Sequence, residues 1–221
     1  MKAKGSLTKQ EAEVEVSKEE INAFFNGIVP EFVKEGGGII SDTVRFWRWK
    51  NQIKLIKKAE KIIEDNNLTK QQIPLKVLAP LIENSSYEED ESMQNRWANL
   101  LSNAVTGQVN VTPNFVEILK ELSPLEAIML DKVYDETIAQ TGTDVLQFSK
   151  EKICEWLKLS SDDFDLMIEN LYRLGLCQRP GSTGIMFGNA RVALHTTELF
   201  ELTTLGRIFV RACREPVKTI A

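Results

Sequence analysis

The sequence predicts a mainly α-helical protein, in which an N-terminal helical bundle is followed by a winged helix-turn-helix-like module with a β-hairpin wing. Apolar residues recur at the 3.6-residue spacing of helices over most of the chain. Serines and aspartates precede several of these periodic stretches, as N-caps do. Strand-like runs occur only at residues 144–149 and 176–203, where glycine and proline break them up.

The 221 residues divide into three predicted segments. Residues 1–16 are polar and show no periodicity, which predicts a disordered tail and no secretory signal. Residues 17–110 form the predicted helical domain, and residues 111–215 form the predicted winged-helix-like domain.

The helical domain begins at Ser17, where Glu20 completes a capping box, and its first helix ends at the glycines of residues 36–38. A second helix begins at Ser41 or Asp42 and ends near Asp65. Periodic apolar positions predict three further helices, at residues 75–83, from residues 87–91 to about 104, and from Thr112-Pro113 onward.

The second domain opens with a strong helix start, because Ser123 is followed by Pro124 and by Glu126 at the capping-box position. The predicted order that follows is the strand-like run at 144–149, two helices, a hairpin with a loose tip, and a closing helix. This order is typical of winged helix-turn-helix modules.

The second helix of that module would enter the major groove if the module read DNA. Its outward-facing residues carry a net charge of −3, and they are Asp162, Asp163, Asp165, Glu169, Asn170 and Arg173. An acidic face repels phosphates, so the pattern favours a structural or protein-binding module. Arg179 and Arg191 of the wing could contact a nucleic-acid backbone without reading bases.

A basic stripe is predicted along the helix of residues 42–65. Residues 45–61 carry +6, so the remainder of this −5 chain carries −11. Lys50, Lys54, Lys57 and Lys61 share one face, with Lys58 beside it and Trp47 at its edge, while Trp49 and Ile53 are expected in the core. The face is either a solvated side of a core helix or a surface for phosphates or lipid headgroups.

A second polar pattern lies on the predicted helix near residues 87–104. Asn95, Asn99 and Asn103 recur every four residues opposite the apolar stripe, and Arg96 lies beside them. The pattern fits a surface for a partner, a polar seam between helices, or a solvated face.

Residues suited to catalysis are scarce. The single histidine, His195, is not part of a recognisable Ser/His/Asp or Cys/His arrangement. The sequence also contains no phosphate-binding loop motif and no metal-ligand spacing. The odd number of cysteines and the lack of a long apolar run predict reduced thiols in a cytoplasmic protein without a transmembrane segment. We therefore expect no enzymatic activity, no cofactor and no metal.

Several spaced blocks together resemble the abortive-infection alpha family. They include "SDTVRFWRWKNQIKLIKKAEK", "SYEEDESMQNRWANLLSNA", "NLYRLGLC" and "LTTLGRIFVRAC", and the resemblance covers about residues 41–214. It implies a role in bacterial resistance to phage and supplies no catalytic residues. The sequence thus predicts a non-enzymatic interaction protein that binds a protein partner. The alternative is a nucleic-acid-binding regulator that uses helix 42–65 and the wing. Four tryptophans and amphipathic helices also permit a homodimer.

Overall fold

The computed structural model describes the backbone of residues 43–141, 147–180, 185–187, 190–192 and 199–216. Side chains are described for residues 48–139, 147–180 and 199–216. The described residues form two compact units, and the second comprises Leu122–Arg211. The first unit contains the described residues up to Glu121 and those from Ala212 onward, so the chain returns to it at the end.

The described residues are mainly helical and include a small antiparallel sheet. The helices of the first unit are α1 (Thr43–Asp65), α2 (Leu75–Ser85), α3 (Glu91–Thr106) and α4 (Pro113–Glu121). The later helices are α5 (Pro124–Thr141), α6 (Lys150–Leu157), α7 (Ser161–Arg173) and α8 (Thr204–Ala212). The strands are β1 (Gln147–Ser149), β2 (Cys177–Gln178), β3 (Ile185–Phe187), β4 (Ala190–Val192) and β5 (Leu199–Leu202).

The core of the first unit forms where α1 packs on α3 and α2 packs on α4. Trp97 of α3 is the largest side chain in this core and is 1% exposed. Apolar residues recur about every 3.6 positions along α1 and α3, as the sequence predicts, so they form one face of each helix. These faces pack in the core, where their apolar surface is away from water. The buried residues on these two faces, besides Trp97, include Leu55, Ile56, Ala59, Ile63, Met93, Leu100, Leu101 and Ala104.

The second unit is held together by a three-stranded antiparallel sheet and an aromatic core. Strand β5 lies in the centre and pairs with β1 and β2, while β3 and β4 pair as a separate hairpin. The ring centroid of Phe200 on β5 lies 5.9 Å from those of both Phe148 and Phe164. These contacts join the sheet to α7, whose inward residues Ile168 and Leu171 are also buried.

Several helix ends form where the sequence places their caps. Glu126 accepts hydrogen bonds from the backbone N–H and the hydroxyl of Ser123, which completes the predicted capping box of α5. Ser160 accepts the backbone N–H of Asp163 at the start of α7. Helix α3 begins at Glu91, the last residue of the predicted starting segment, because Asp90 is its N-cap. The Met93 backbone N–H donates to this carboxylate and lowers the pKa of Asp90.

The division into units differs from the predicted domain boundary between residues 110 and 111. Helix α4 packs with α2 and therefore lies in the first unit, and the second unit begins at Leu122. The predicted first helix from Ser17, the tail of residues 1–16 and His195 lie outside the described residues.

Two further observations concern membrane-spanning helices and metal-binding groups. Within the described segments, every helix is too short or too polar to cross a lipid bilayer. The same segments contain no group of three or more histidine, cysteine, aspartate or glutamate side chains that could hold a metal ion.

Candidate functional site

An open groove of about 910 Å³ lies on the second unit, between the start of α5 and the outer face of α7. Its volume falls within the roughly 300–1,000 Å³ typical of ligand sites. The lining residues are Ser123, Leu125, Glu126, Leu159, Asp163, Leu166, Met167, Glu169, Asn170 and Arg173. We call this feature the α5–α7 groove.

The groove exposes large apolar side chains to solvent. Leu166, near the middle of α7, is 73% exposed, and Leu125 on α5 is 39% exposed. Ile128 lies one turn after Leu125 on α5 and is 40% exposed, but it does not line the groove. Single exposed apolar residues are ordinary on protein surfaces, whereas Leu125 and Leu166 are both exposed at one concave site.

A hydrogen-bond network fixes the two walls of the α5–α7 groove relative to each other. The Asn170 side-chain amide of α7 donates to Glu126 Oε1 of α5 at 2.7 Å, and Glu126 is buried. The other oxygen of Glu126 caps α5 at Ser123. Arg173 donates to Asn170 Oδ1 through Nη2 at 2.6 Å. The Asn170–Glu126 hydrogen bond therefore links the α7 wall of the groove to the α5 wall.

The α5–α7 groove is acidic. Its lining contains three carboxylates, those of Glu126, Asp163 and Glu169, against the one guanidinium of Arg173. Glu126 and Asp163 are occupied by hydrogen bonds within the unit. Glu169 is exposed, and its carboxylate makes no hydrogen bond or ion pair with any other described residue. One carboxylate at the edge of the groove thus remains available to a positively charged ligand.

Sequence reasoning missed Leu166, although a signal for it exists. It lies two residues after Phe164 and two before Ile168, so it falls on the opposite side of the helix from these core residues. The helical wheel thus places Leu166 among the outward acids of α7. The structure then adds Leu125 and the concave shape, which no local pattern indicates.

The predicted lysine stripe lies on the exposed face of α1 in the first unit. Lys50, Lys54, Lys57 and Lys61 are all exposed. Among the described residues, no ion pair involves Lys50, Lys54 or Lys61. Trp49 and Ile53 were expected in the core but are only half-buried. The side chain of Trp47 lies outside the described residues.

Two other basic residues of α1 are held by neighbours within the first unit. Lys58 Nζ donates to Asn95 Oδ1 at 2.6 Å and lies 3.5 Å from Glu91 Oε1. Arg48 lies 3.6 Å from Glu83 and stacks over the Tyr87 ring at 4.3 Å. Both residues therefore connect α1 to its neighbours and are less available to a ligand than the exposed lysines.

The predicted partner surface on α3 requires a correction. Asn103 is only 1% exposed, and its side-chain amide lies 2.9 Å from the Ala212 carbonyl oxygen and 2.8 Å from that of Arg214. Asn99 likewise donates to the Cys213 carbonyl at 3.0 Å. These asparagines bind the returning C-terminal segment, because its carbonyl groups need donors where water is excluded. Asn99 and Asn103 therefore fit the interpretation as a polar seam between packed segments better than the interpretation as an exposed partner surface.

The remaining predicted residues do not converge on one site. Asn95 is exposed and accepts from Lys58, whereas Arg96 is half-buried with its Nε shielded from solvent. Arg179 of the second unit is exposed, and its guanidinium lies 5.8 Å from the Tyr172 ring centroid. The side chain of Arg191 lies outside the described residues.

The thiols of the second unit are poorly suited to act as nucleophiles. Burial raises the pKa of Cys177 to about 12, and burial also raises the pKa of Cys154. The reactive form of cysteine is the thiolate, so both side chains remain protonated thiols near neutral pH.

The structure defines a mainly helical protein with a small antiparallel sheet and an open groove between α5 and α7. The sequence model described as Abortive infection alpha matches residues 48–213. The chain belongs to the Abortive infection alpha family, which confirms the resemblance found in the sequence. No curated protein and no solved structure matches the chain at a significant level.

Proposed function

We propose that this chain is a non-enzymatic interaction protein of a phage-resistance system, and that it acts in the cytoplasm by binding a protein partner in the α5–α7 groove. Family membership supplies the setting of abortive infection. The observation that carries the binding role is Leu166, a leucine that lines a concave site and is 73% exposed. Exposing this apolar area to water is unfavourable, and a bound protein would remove it from solvent.

We also propose that the second unit is a winged helix-turn-helix-like module, and its element order supports this. Its elements occur in the order expected of a winged helix-turn-helix module. That order is helix α5, strand β1, helices α6 and α7, strands β2 to β5, and helix α8. In this reading α7 is the helix that would enter the major groove, and the β3–β4 hairpin is the wing.

The surface of α7 favours a protein over DNA. Asp162, Asp163 and Glu169 are exposed on its outer side, and Leu166 lies between them. Carboxylates repel the phosphates whose neutralisation supplies most affinity for a duplex. Leucine offers neither hydrogen bonds nor charge to that backbone, whereas it is well suited to an apolar protein contact.

Replacing Leu166 with aspartate is expected to abolish the phage protection that the chain confers, without unfolding it. The side chain is exposed, so the change in folding stability should be within about 0.5 kcal/mol. A buried carboxylate at the partner interface would be strongly unfavourable. The measurement is the efficiency of plating of a phage panel on bacteria that express the chain with its genomic neighbours.

Leu75→Asp is the matched control, because Leu75 is also exposed but lies on α2 of the first unit. It should protect as the wild type does. Full protection by the Leu166→Asp variant would exclude the groove as the functional surface. Micromolar, salt-sensitive binding of duplex DNA by the wild type, measured by fluorescence anisotropy, would contradict the choice of a protein partner.

The lysine face of α1 favours a second candidate function, nucleic-acid binding. Exposed lysines at helical spacing can follow a phosphate backbone, and Lys54 and Lys61 make no ion pair within the described part of the chain. Reversal of these two residues to glutamate should weaken binding of a fluorescein-labelled 20-nucleotide single strand at least tenfold.

The matched control for that experiment reverses Lys76 and Lys120, which are exposed on α2 and α4. It introduces the same change in net charge away from the α1 face. Equal affinity in all three proteins, or equal loss in both variants, would remove the α1 lysines as a specific binding surface.

A further inference from the structure

We infer that the α5–α7 groove takes a helical segment of the partner, with apolar residues along one face and basic residues beside them. This inference rests on the proposed protein-binding function and specifies the chemistry of the ligand. Three features of the groove support it: the backbone hydrogen bonds of its helical walls, its exposed leucines and its negative charge.

The walls of the groove favour recognition through side chains. Both walls are helices, whose backbone N–H and C=O groups are mostly used within each helix. At the start of α5, the Ser123 N–H is already bound to Glu126. The lining includes no residue of the strands. A peptide in the groove therefore has no open strand edge to extend, and a helix that satisfies its own backbone fits better than a strand.

The apolar side chains supply the anchoring contacts. Leu166 and Leu125 stand on opposite walls, and Met167 between the helices is buried. A helix presents apolar residues at positions i, i+3 or i+4 and i+7 on one face, so it can contact both walls along its length. Burying these leucines against the bound helix removes apolar surface from water, which favours binding.

The charge of the groove selects basic residues on the ligand. Its lining carries two more carboxylates than guanidinium groups, and Glu169 is the carboxylate without a partner among the described residues. A lysine or arginine beside the apolar face of the bound helix would pair with Glu169, whereas an acidic helix would be repelled. Hydrogen bonds through Asn170 hold Glu126 and Arg173, and Ser160 holds Asp163.

Two labelled 18-residue peptides test this inference on the full chain. Both carry leucine at alternating three- and four-residue spacings, and their other positions are lysine-rich in one peptide and glutamate-rich in the other. Fluorescence anisotropy should detect the basic peptide binding at least tenfold more tightly than the acidic one. Leu166→Asp should reduce binding of the basic peptide at least tenfold, and Glu169→Lys should reduce or reverse the preference between the peptides.

Glu155→Lys is the matched control, because Glu155 is exposed on α6 and does not line the groove. It makes the same change in net charge as Glu169→Lys, so an equal effect of both would show non-specific attraction and overturn the inference. Equal binding of both peptides, or binding of neither, would also overturn it. A dimer in sedimentation velocity that Leu166→Asp dissociates would identify a second copy as the occupant instead.

The outcomes separate this inference from the proposed function. If the basic peptide fails to bind while Leu166→Asp still abolishes phage protection, the groove binds a partner of other chemistry and the proposed function stands. If the peptide binds through Leu166 but the variant still protects against phage, the groove has the inferred specificity and the proposed function fails.

Discussion

Replacing Asn103 with aspartate is expected to destabilise the first unit by about 3–5 kcal/mol, the usual loss for an uncompensated buried charge. The Asn103 side-chain amide lies 2.8 to 3.0 Å from three backbone carbonyl oxygens, those of Asn99, Ala212 and Arg214. Aspartate replaces this donor with a negatively charged acceptor that faces the same oxygens. Urea unfolding followed by far-UV circular dichroism measures the loss as a lower midpoint.

The dependence on pH distinguishes the buried charge from a packing defect. Burial beside carbonyl oxygens raises the pKa of an aspartate at position 103 above that of the unfolded chain. The folded state then binds more protons than the unfolded state, so stability falls as pH rises through the unfolded pKa and upward to the folded one. The deficit of Asn103→Asp relative to the wild type should therefore shrink when the pH is lowered from about 7 to about 4.5.

Two variants on the same helix serve as controls for Asn103→Asp. Asn103→Ala removes the donor without adding a charge and should cost about 1–3 kcal/mol. Asn95→Asp makes the same chemical change on an exposed residue whose oxygen accepts from Lys58 at 2.6 Å, so it should be neutral or slightly stabilising. Equal losses for Asn95→Asp and Asn103→Asp would contradict the assignment of Asn103 as a buried anchor.

Replacing Gly206 with alanine is expected to destabilise the second unit by about 3 kcal/mol, at the upper end of ordinary overpacking. A Cβ atom at this position would lie 3.0 Å from the carbonyl carbon of Leu176 and nearer still to its oxygen. The obstacle is backbone, and it cannot rotate away as a side chain can. Thr203 holds the same backbone, because its N–H donates to the Leu176 oxygen at 3.0 Å.

The sign of the Gly206→Ala effect is informative, because the same change on an exposed helix face usually stabilises by about 1 kcal/mol. Gly175→Ala is the matched control. Its φ of +71° strains any side chain, but the nearest atom to a new Cβ is a Leu205 methyl carbon at 3.6 Å. We expect a loss of about 1–2 kcal/mol there, from conformation alone. Thermal unfolding midpoints rank the two variants, and a smaller loss at Gly206 would contradict the close approach of α8 to Leu176.

The predictions from sequence that are confirmed concern local chemistry. The Ser123–Glu126 capping box, the Pro113 start of α4 and the buried stripe of α3 each depend on residues within about two turns of one another. Helix capping and amphipathic spacing act over that range, so a single sequence contains the information they need. The two glycines discussed above lie in two of the blocks that carry the family resemblance, and only the structure explains them.

The polar residues show where sequence reasoning fails. On the wheel Asn95, Asn99 and Asn103 form one equivalent ladder, yet Asn95 is exposed and Asn103 is buried. The difference arises because the chain returns to α3 at Ala212, more than one hundred residues later. Whether a polar side chain is solvated or buried depends on what covers it, and the covering segment is not encoded in local periodicity.

The sequence by itself determined the helical class, most helix ends, the acidic face of α7, the lysine face of α1 and the family. Each of these depends on residue type and near-neighbour spacing. Only the tertiary structure decided that Asn103 anchors the end of the chain, that Gly206 admits no side chain, and that Leu166 and Leu125 border one groove. The physical reason is that burial, close approach and concavity are properties of segments distant in sequence, which only folding brings together.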